Sequence, residues 1–176
     1  MFYILRHGRT DWNEEHRLQG EVDIPLNETG RQMAYDAAEK YKDIDFDICY
    51  CSPLKRAQDR SPAVEIITDN RLHEMCFGDY EGVKNIRQKP ECPVYLLFEE
   101  PEKYVAKDGA ESFEELYHRT GEFIEQVLRP QLAAGKNVLV VGHGAMNCSI
   151  VNQFRGTPIK DFWKDMQGNC ELLRVE

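Results

Sequence analysis

The sequence predicts an α/β protein, a three-layer α/β/α sandwich around a mainly parallel sheet, and three observations carry that prediction. The apolar run Phe2 Tyr3 Ile4 at the start of the chain leads through Leu5 and Arg6 into His7 Gly8. A second apolar run, Val138 Leu139 Val140 Val141, ends in Gly142 His143 Gly144, so the chain builds a strand followed by His-Gly twice. Short apolar runs of this kind read as buried strands, and glycine after the histidine lets backbone approach a ligand closely. Between the two runs, helical and strand-like patterns alternate, which is the order of βα units. At 176 residues the chain is long enough for one sizeable core and too short to argue for two, so residues 1–176 are read as a single domain.

Each element follows from local chemistry. Asn27 is an N-cap for a helix reaching Tyr41, with Met33, Ala34, Ala37, Ala38 and Tyr41 at helical spacing. Asp47 to Cys51 reads as a short strand, and Ser52 Pro53 then supplies a capping hydroxyl and a proline for the first helical position. The helical pattern runs on to Ile67, but Pro62 interrupts it, so a break is expected near Ser61. Ser112 and Glu115 form a capping box ahead of Phe113, Leu116, Thr120, Phe123, Ile124, Val127 and Leu128, the best amphipathic helix in the chain. Pro130 kinks its end and Gly135 stops it. Asn137 to Gly142 is the second strong strand, and Glu171 to Val175 a closing one.

Composition narrows the function. Charged residues are 30% and hydrophobic ones 41%, ordinary for a soluble globular chain, and no apolar stretch is long enough to cross a bilayer. The N-terminus has neither the basic region nor the apolar core of a secretory signal, so cytoplasmic residence is the expectation. A net charge of -9 repels phosphate polymers, which argues against nucleic acid and anionic membranes as partners. A phosphate ligand must then be captured by a local arginine cluster. The six cysteines form no CxxC pair and read as reduced, mostly buried thiols.

The chemistry concentrates where His7 stands beside Arg6, an imidazole next to fixed positive charge: a nucleophile inside an anion site. Arg56 follows Ser52 by four residues at a strand-to-helix junction, which brings its guanidinium and the first N–H groups of the helix toward one anion.

These residues resemble the histidine phosphatases, also called the phosphoglycerate mutase-like superfamily, over most of the chain. Arg6 His7 Gly8 with Thr10, Trp12 and Asn13 is similar to the family signature, followed by Arg17, Gln19 Gly20, Asp23, Pro25 Leu26 and Gly30. Ser52 Pro53 Leu54 with Arg56 Ala57 resembles the second block, Leu72 and Glu74 with Phe77 to Gly82 the third, and Gly142 His143 Gly144 the fourth. The resemblance implies that His7 is the nucleophile, that Arg6, Arg56 and His143 hold the phosphoryl oxygens with help from Asn13, and that Glu74 protonates the leaving oxygen. Arg9, Gln19 and Gly20 are placed at the entrance, where specificity is set. Arginines and histidines around the phosphate fill the role of a cation, so neither metal nor cofactor is expected. The expected partner is a small phosphorylated metabolite, and a homodimer is left open.

Departures from the family pattern are Arg9, where Glu or Gln is usual, Gly109 Ala110 Glu111 Ser112 in place of Gly Gly Glu Ser, and Asp59 to Ala63 in place of a Gln Thr Ala segment. His16, His73 and His118 read as ordinary polar residues, Glu81 and Glu111 as solvated acids, and Trp12 as a brace for its loop. A phosphohistidine serves hydrolysis or phosphoryl transfer, and the segment over the site decides between them. Mutases of the superfamily are longer there, with a basic insertion, whereas Val83 to Asp108 is short and electrically balanced, which favours a phosphatase. A phosphoglycerate mutase-type transfer is the alternative, and a non-catalytic phosphate-binding module a third reading. The block from Leu72 to Gly82 also resembles members acting on sugar phosphates or ribazole phosphate.

Overall fold

In the computed structural model, which describes residues 1–58 and 64–176, β1 (Phe2–Arg6) runs into a loop carrying the short helix α1 (Asp11–Glu14). There follow α2 (Glu28–Lys40), β2 (Ile48–Cys51), α3 (Lys55–Gln58) and β3 (Ile66–Thr68). A segment of 3₁₀ turns contains α4 (Tyr95–Glu99), and α5 (Phe113–Phe123) continues into α6 (Arg129–Ala133). The chain closes with β4 (Val138–Gly142), α7 (Gly144–Arg155) and β5 (Leu172–Arg174). Among the described residues the strands form one sheet in the order β3-β2-β4-β1-β5, parallel except for β5.

The alternation of the strands sorts the core. Phe2, Ile4, Ile48, Tyr50, Val138 and Val140 face Phe123, Ile124, Leu128, Met146, Ile150 and Val151 of the helices on one side. Tyr3, Cys49, Cys51, Leu139 and Val141 face the other side, where Ala57 joins them. There α2 meets the sheet through Ala34, Ala37 and Tyr41 around a cavity of about 450 Å³. Of the apolar residues expected to pack, Ala37 is buried while Ala38 is exposed. A third cluster, with Phe77, Ile86, Val94, Leu97, Leu116 and Phe162, lies beyond the sheet and anchors the segment between Val83 and Asp108. The six cysteines are thiols, three of them buried.

Several expected boundaries move for identifiable reasons. The helix after Ser52 starts at Lys55, because Ser52 Oγ accepts from Leu54 N at 3.2 Å and closes a turn first. Ile66 and Ile67 are in a strand, not a helix, since β-branched residues fit the open edge of β2. The break expected near Ser61 lies outside the described residues. The capping box of Ser112 and Glu115 forms as expected. The kink expected at Pro130 takes the form of a π turn over Ile124–Leu128. Proline lacks the N–H for an α-helical bond to Gln126, and the wider turn, with Arg129 N donating to Ile124 O, relieves the clash of its ring.

Candidate active site

The two histidines meet because their strands are neighbours. In the parallel pairing of β1 with β4, Arg6 stands opposite Gly142, so His7 and His143 leave adjacent strand ends with ring centroids 5.1 Å apart. Ser52 ends the next strand, and its Oγ lies 2.7 Å from His143 Nε2. Open parallel sheets form their ligand sites at this carboxyl edge. His7 Nδ1 lies 2.6 Å from the carbonyl of Gly8. A carbonyl only accepts, so Nδ1 carries the proton and Nε2 keeps a lone pair. For His143, the arrangement that satisfies both groups has the Ser52 hydroxyl donating to Nε2 and accepting from Leu54 N, which leaves the proton on Nδ1.

Arg56 is almost completely buried, and its Nη2 and Nη1 donate to the carbonyls of Gly20 at 2.6 Å and Val22 at 2.9 Å. Burial lowers this guanidinium to about 10, with the carboxylate of Glu74 opposing, so it stays charged at neutral pH. Arg6 Nη1 donates to Gln167 O at 3.0 Å. Glu74 accepts three backbone N–H bonds: Oε1 from Met75 and Met146 at 2.8 and 2.9 Å, Oε2 from Ala145 at 3.2 Å. Two of these donors open α7, whose N-terminus is thereby turned on the carboxylate. Around His7, Asn13, Gln19 and Glu74 lies a pocket of about 130 Å³, walled by Phe77, Phe98, Trp163 and Met166.

Five buried side-chain polar atoms among the described residues have no hydrogen-bond partner, and four of them are Arg6 Nε, Gln19 Nε2, Arg56 Nε and His143 Nδ1. An unpaired buried donor costs about 1–3 kcal/mol. Arg6 and Gln19 line the pocket with His7, and His143 stands 5.1 Å from His7 between ring centroids.

The structure brings Arg6, His7, Asn13, Gln19, Arg56, Glu74 and His143 to this edge and corrects several expectations. The start of α3 offers no anion site, because Lys55 N is taken by Asp23 Oδ1 at 2.8 Å. Asn13 uses Oδ1 to cap α1 through Thr10 N at 3.1 Å while still facing the pocket. Gly20 is buried rather than at an entrance: a Cβ there would stand 2.2 Å from Glu81 Oε1. Arg9 is exposed, and its backbone meets Gly30, where a Cβ would fall 2.0 Å from Arg9 O. Trp12 is the expected brace, packed on Gly82 and lying outside the pocket. His118 is exposed, as expected.

Two acids are not the solvated residues that the sequence suggests. Glu81 accepts from Glu21 N and Val22 N at 2.9 Å, clamping the loop whose carbonyls hold Arg56. Glu111 grips Arg119 through both carboxylate oxygens, at 2.6 and 2.9 Å, and Arg119 in turn binds the carbonyls of Arg71 and His73. That pair positions the strand of backbone ending in Glu74. From the other end of the chain, Asn169 Nδ2 binds His7 O at 2.9 Å. His73 is also engaged, with Nδ1 3.2 Å from Glu21 Oε1.

Burial, then Arg56 and Arg6, holds His7 well below its ordinary value of 6.5, and burial with Arg56 and His7 does the same to His143. Both imidazoles are therefore neutral at pH 7. The unfolded chain takes up protons at these histidines as pH falls through 6.5, whereas the native protein does not, so stability falls with pH. At about pH 5.5 each histidine contributes a loss of up to about 1.4 kcal/mol. Denaturant melts between about pH 7.5 and 5.5 check this: the loss is expected to shrink when inorganic phosphate is added, because a bound anion favours the protonated rings. Stability independent of pH over that range contradicts the burial of neutral histidines.

The sequence matches the histidine phosphatase superfamily (branch 1) over residues 2–176. It is 32% identical over 159 residues to the "Uncharacterized phosphatase PhoE" of Bacillus subtilis, covering 87% of this chain and 76% of that protein. To a 2,3-bisphosphoglycerate-dependent phosphoglycerate mutase 2 of Gloeobacter violaceus it is 30% identical, covering 82% of this chain and 70% of the other. The solved structure of Bacillus stearothermophilus YhfR superposes with a TM-score of 0.85 at 29% identity, over 97% of this chain and 88% of that one. The chain belongs to the histidine phosphatase superfamily.

Proposed function

We propose that this protein is a phosphomonoester hydrolase that acts on a small phosphorylated metabolite through a phosphohistidine at His7. The carrying observation is the set of unpaired buried donors on Arg6, Gln19, Arg56 and His143 around an imidazole whose Nε2 lone pair is free. In the first step Nε2 attacks phosphorus in line, the bond from phosphorus to the ester oxygen breaks, and Glu74, which receives a proton from the monoanionic phosphomonoester, passes it to that oxygen. Charge on the equatorial oxygens is met by the two guanidiniums, His143 and Gln19, with Asn13 beside them. In the second step water attacks phosphorus, Glu74 takes its proton, the nitrogen-phosphorus bond breaks, and His7 returns to its neutral state with inorganic phosphate released. His7 is neutral before attack, as a nucleophile must be.

A mutase-type transfer is the second reading, favoured by the mutase among the relatives. Hydrolysis is preferred because the basic residues between Val83 and Asp108 are largely engaged: Arg87 with Glu99, Lys103 with Glu100, and Lys84 with Glu15. They present no closing basic insertion. A panel of phosphomonoesters run beside a 3-phosphoglycerate mutase assay separates the two. In the same assays, vanadate, which takes a trigonal bipyramidal form with His7 as an axial ligand, is expected to compete with substrate, and activity is expected to survive extensive chelation. Activity lost in EDTA and restored by Mg²⁺ or Zn²⁺ overturns the proposal, as does efficient isomerisation without net hydrolysis.

A further inference from the structure

One wall of the pocket is aromatic, and among the described lining residues the cation other than Arg6 is committed elsewhere. Phe98 and Trp163 both line the pocket, with ring centroids 5.1 Å apart and planes only 15° from parallel. Trp163 Nε1 donates to Leu97 O at 2.7 Å, so the indole offers the pocket a ring and no donor. Phe162 meets Trp163 edge-on at 4.8 Å, and Arg87 stands 5.5 Å from the Phe98 ring, which fixes the stack from outside. Met166, partly exposed, and Leu18 extend the apolar surface. The lining cation on this side is Arg17, and its guanidinium is taken by Glu15 Oε2 at 2.7 Å and Gly82 O at 3.0 Å. Arg87 is tied to Glu99 at 2.9 Å.

From this pairing of anion donors with a fixed aromatic wall we infer that the group carrying the phosphate is an uncharged ring, aromatic or heterocyclic, and not a second carboxylate or phosphate. The inference rests on the hydrolase reading and adds the substrate class. A flat ring gains apolar burial against Phe98, Trp163 and Met166. A second anion has only engaged arginines to meet and loses its hydration against apolar surface.

The test compares kcat/KM for benzyl phosphate, propyl phosphate and 3-phosphoglycerate, whose leaving alcohols are all of the poor, unactivated kind. Benzyl phosphate is expected to exceed propyl phosphate by about tenfold, through KM, and 3-phosphoglycerate is expected to be poorest. Phe98→Ala is expected to bring the benzyl-to-propyl ratio close to one, with turnover of both esters falling as the pocket wall is lost. Phe98→Leu, which keeps apolar bulk in the cluster around Leu97 and Phe162, is expected to lower the ratio without unfolding the segment. Turnover in which 3-phosphoglycerate is best, or in which Phe98→Leu and Trp163→Leu leave the ratio unchanged, overturns the inference and spares the hydrolase reading. No turnover of any of the three removes both.

Discussion

His7→Gln is expected to reduce turnover of every phosphomonoester by a factor on the order of 10⁴ to 10⁶, the scale on which loss of a catalytic nucleophile acts. The fold is expected to survive. The backbone of residue 7 keeps its bonds to Gly142 O at 3.0 Å and to Asn169 at 2.9 Å. The variant also removes one buried neutral imidazole, so its stability is expected to fall less steeply between about pH 7.5 and 5.5 than that of the parent. Vanadate still finds Arg6, Arg56 and His143, and binds more weakly for want of the axial nitrogen. Steady-state rates with p-nitrophenyl phosphate, read beside melts at both pH values, check the two halves together. A folded variant retaining more than about one per cent of the parent rate contradicts the assignment of the nucleophile.

The second large effect is at Glu74 and depends on the leaving group. Proton transfer from a positioned acid contributes about 10² to 10⁴ to a rate, so Glu74→Gln is expected to slow alkyl phosphates by that amount. With p-nitrophenyl phosphate, whose leaving group departs unprotonated, the loss is expected to stay below about tenfold. The substitution is not silent in the fold. Glutamine keeps one acceptor oxygen, best used at the Oε1 position against Met75 N and Met146 N, and then turns its NH₂ on the N–H of Ala145. A cost of about 1–3 kcal/mol in stability follows from the unpaired donor. Rates are therefore compared on two substrates in the same protein sample, which cancels the folded fraction. Equal losses on both would show that Glu74 shapes the site without giving a proton.

Much of this site is legible in the sequence because its residues sit where secondary structure ends. A strand reads from its apolar run, and the residue just past it is placed at the sheet edge, which locates His7, Ser52 and His143 without further information. Capping is local too, and Asn27 and Ser112 act as their neighbours imply. What escapes is the support built by contacts between distant residues. Glu81 holds Val22 across 59 positions, and Asn169 holds His7 across 162. No periodicity or spacing marks such a pair, and an acid used to bind backbone N–H groups has the same sequence signature as one in water. The aromatic wall escapes for the same reason: Phe98 lies in the segment between Val83 and Asp108 and packs on Trp163, far along the chain. The strand at Ile66 is decided by the open edge of β2, a tertiary partner that overrides local helical pattern.

The central claim is a covalent intermediate on His7. Rapid acid-free quench of the protein with a labelled phosphomonoester, followed by peptide mapping, tests it most directly. The account predicts phosphate on the peptide containing His7, stable in alkali, lost in acid, and absent from His7→Gln. Labelling that persists in that variant, or that maps to another residue, contradicts it.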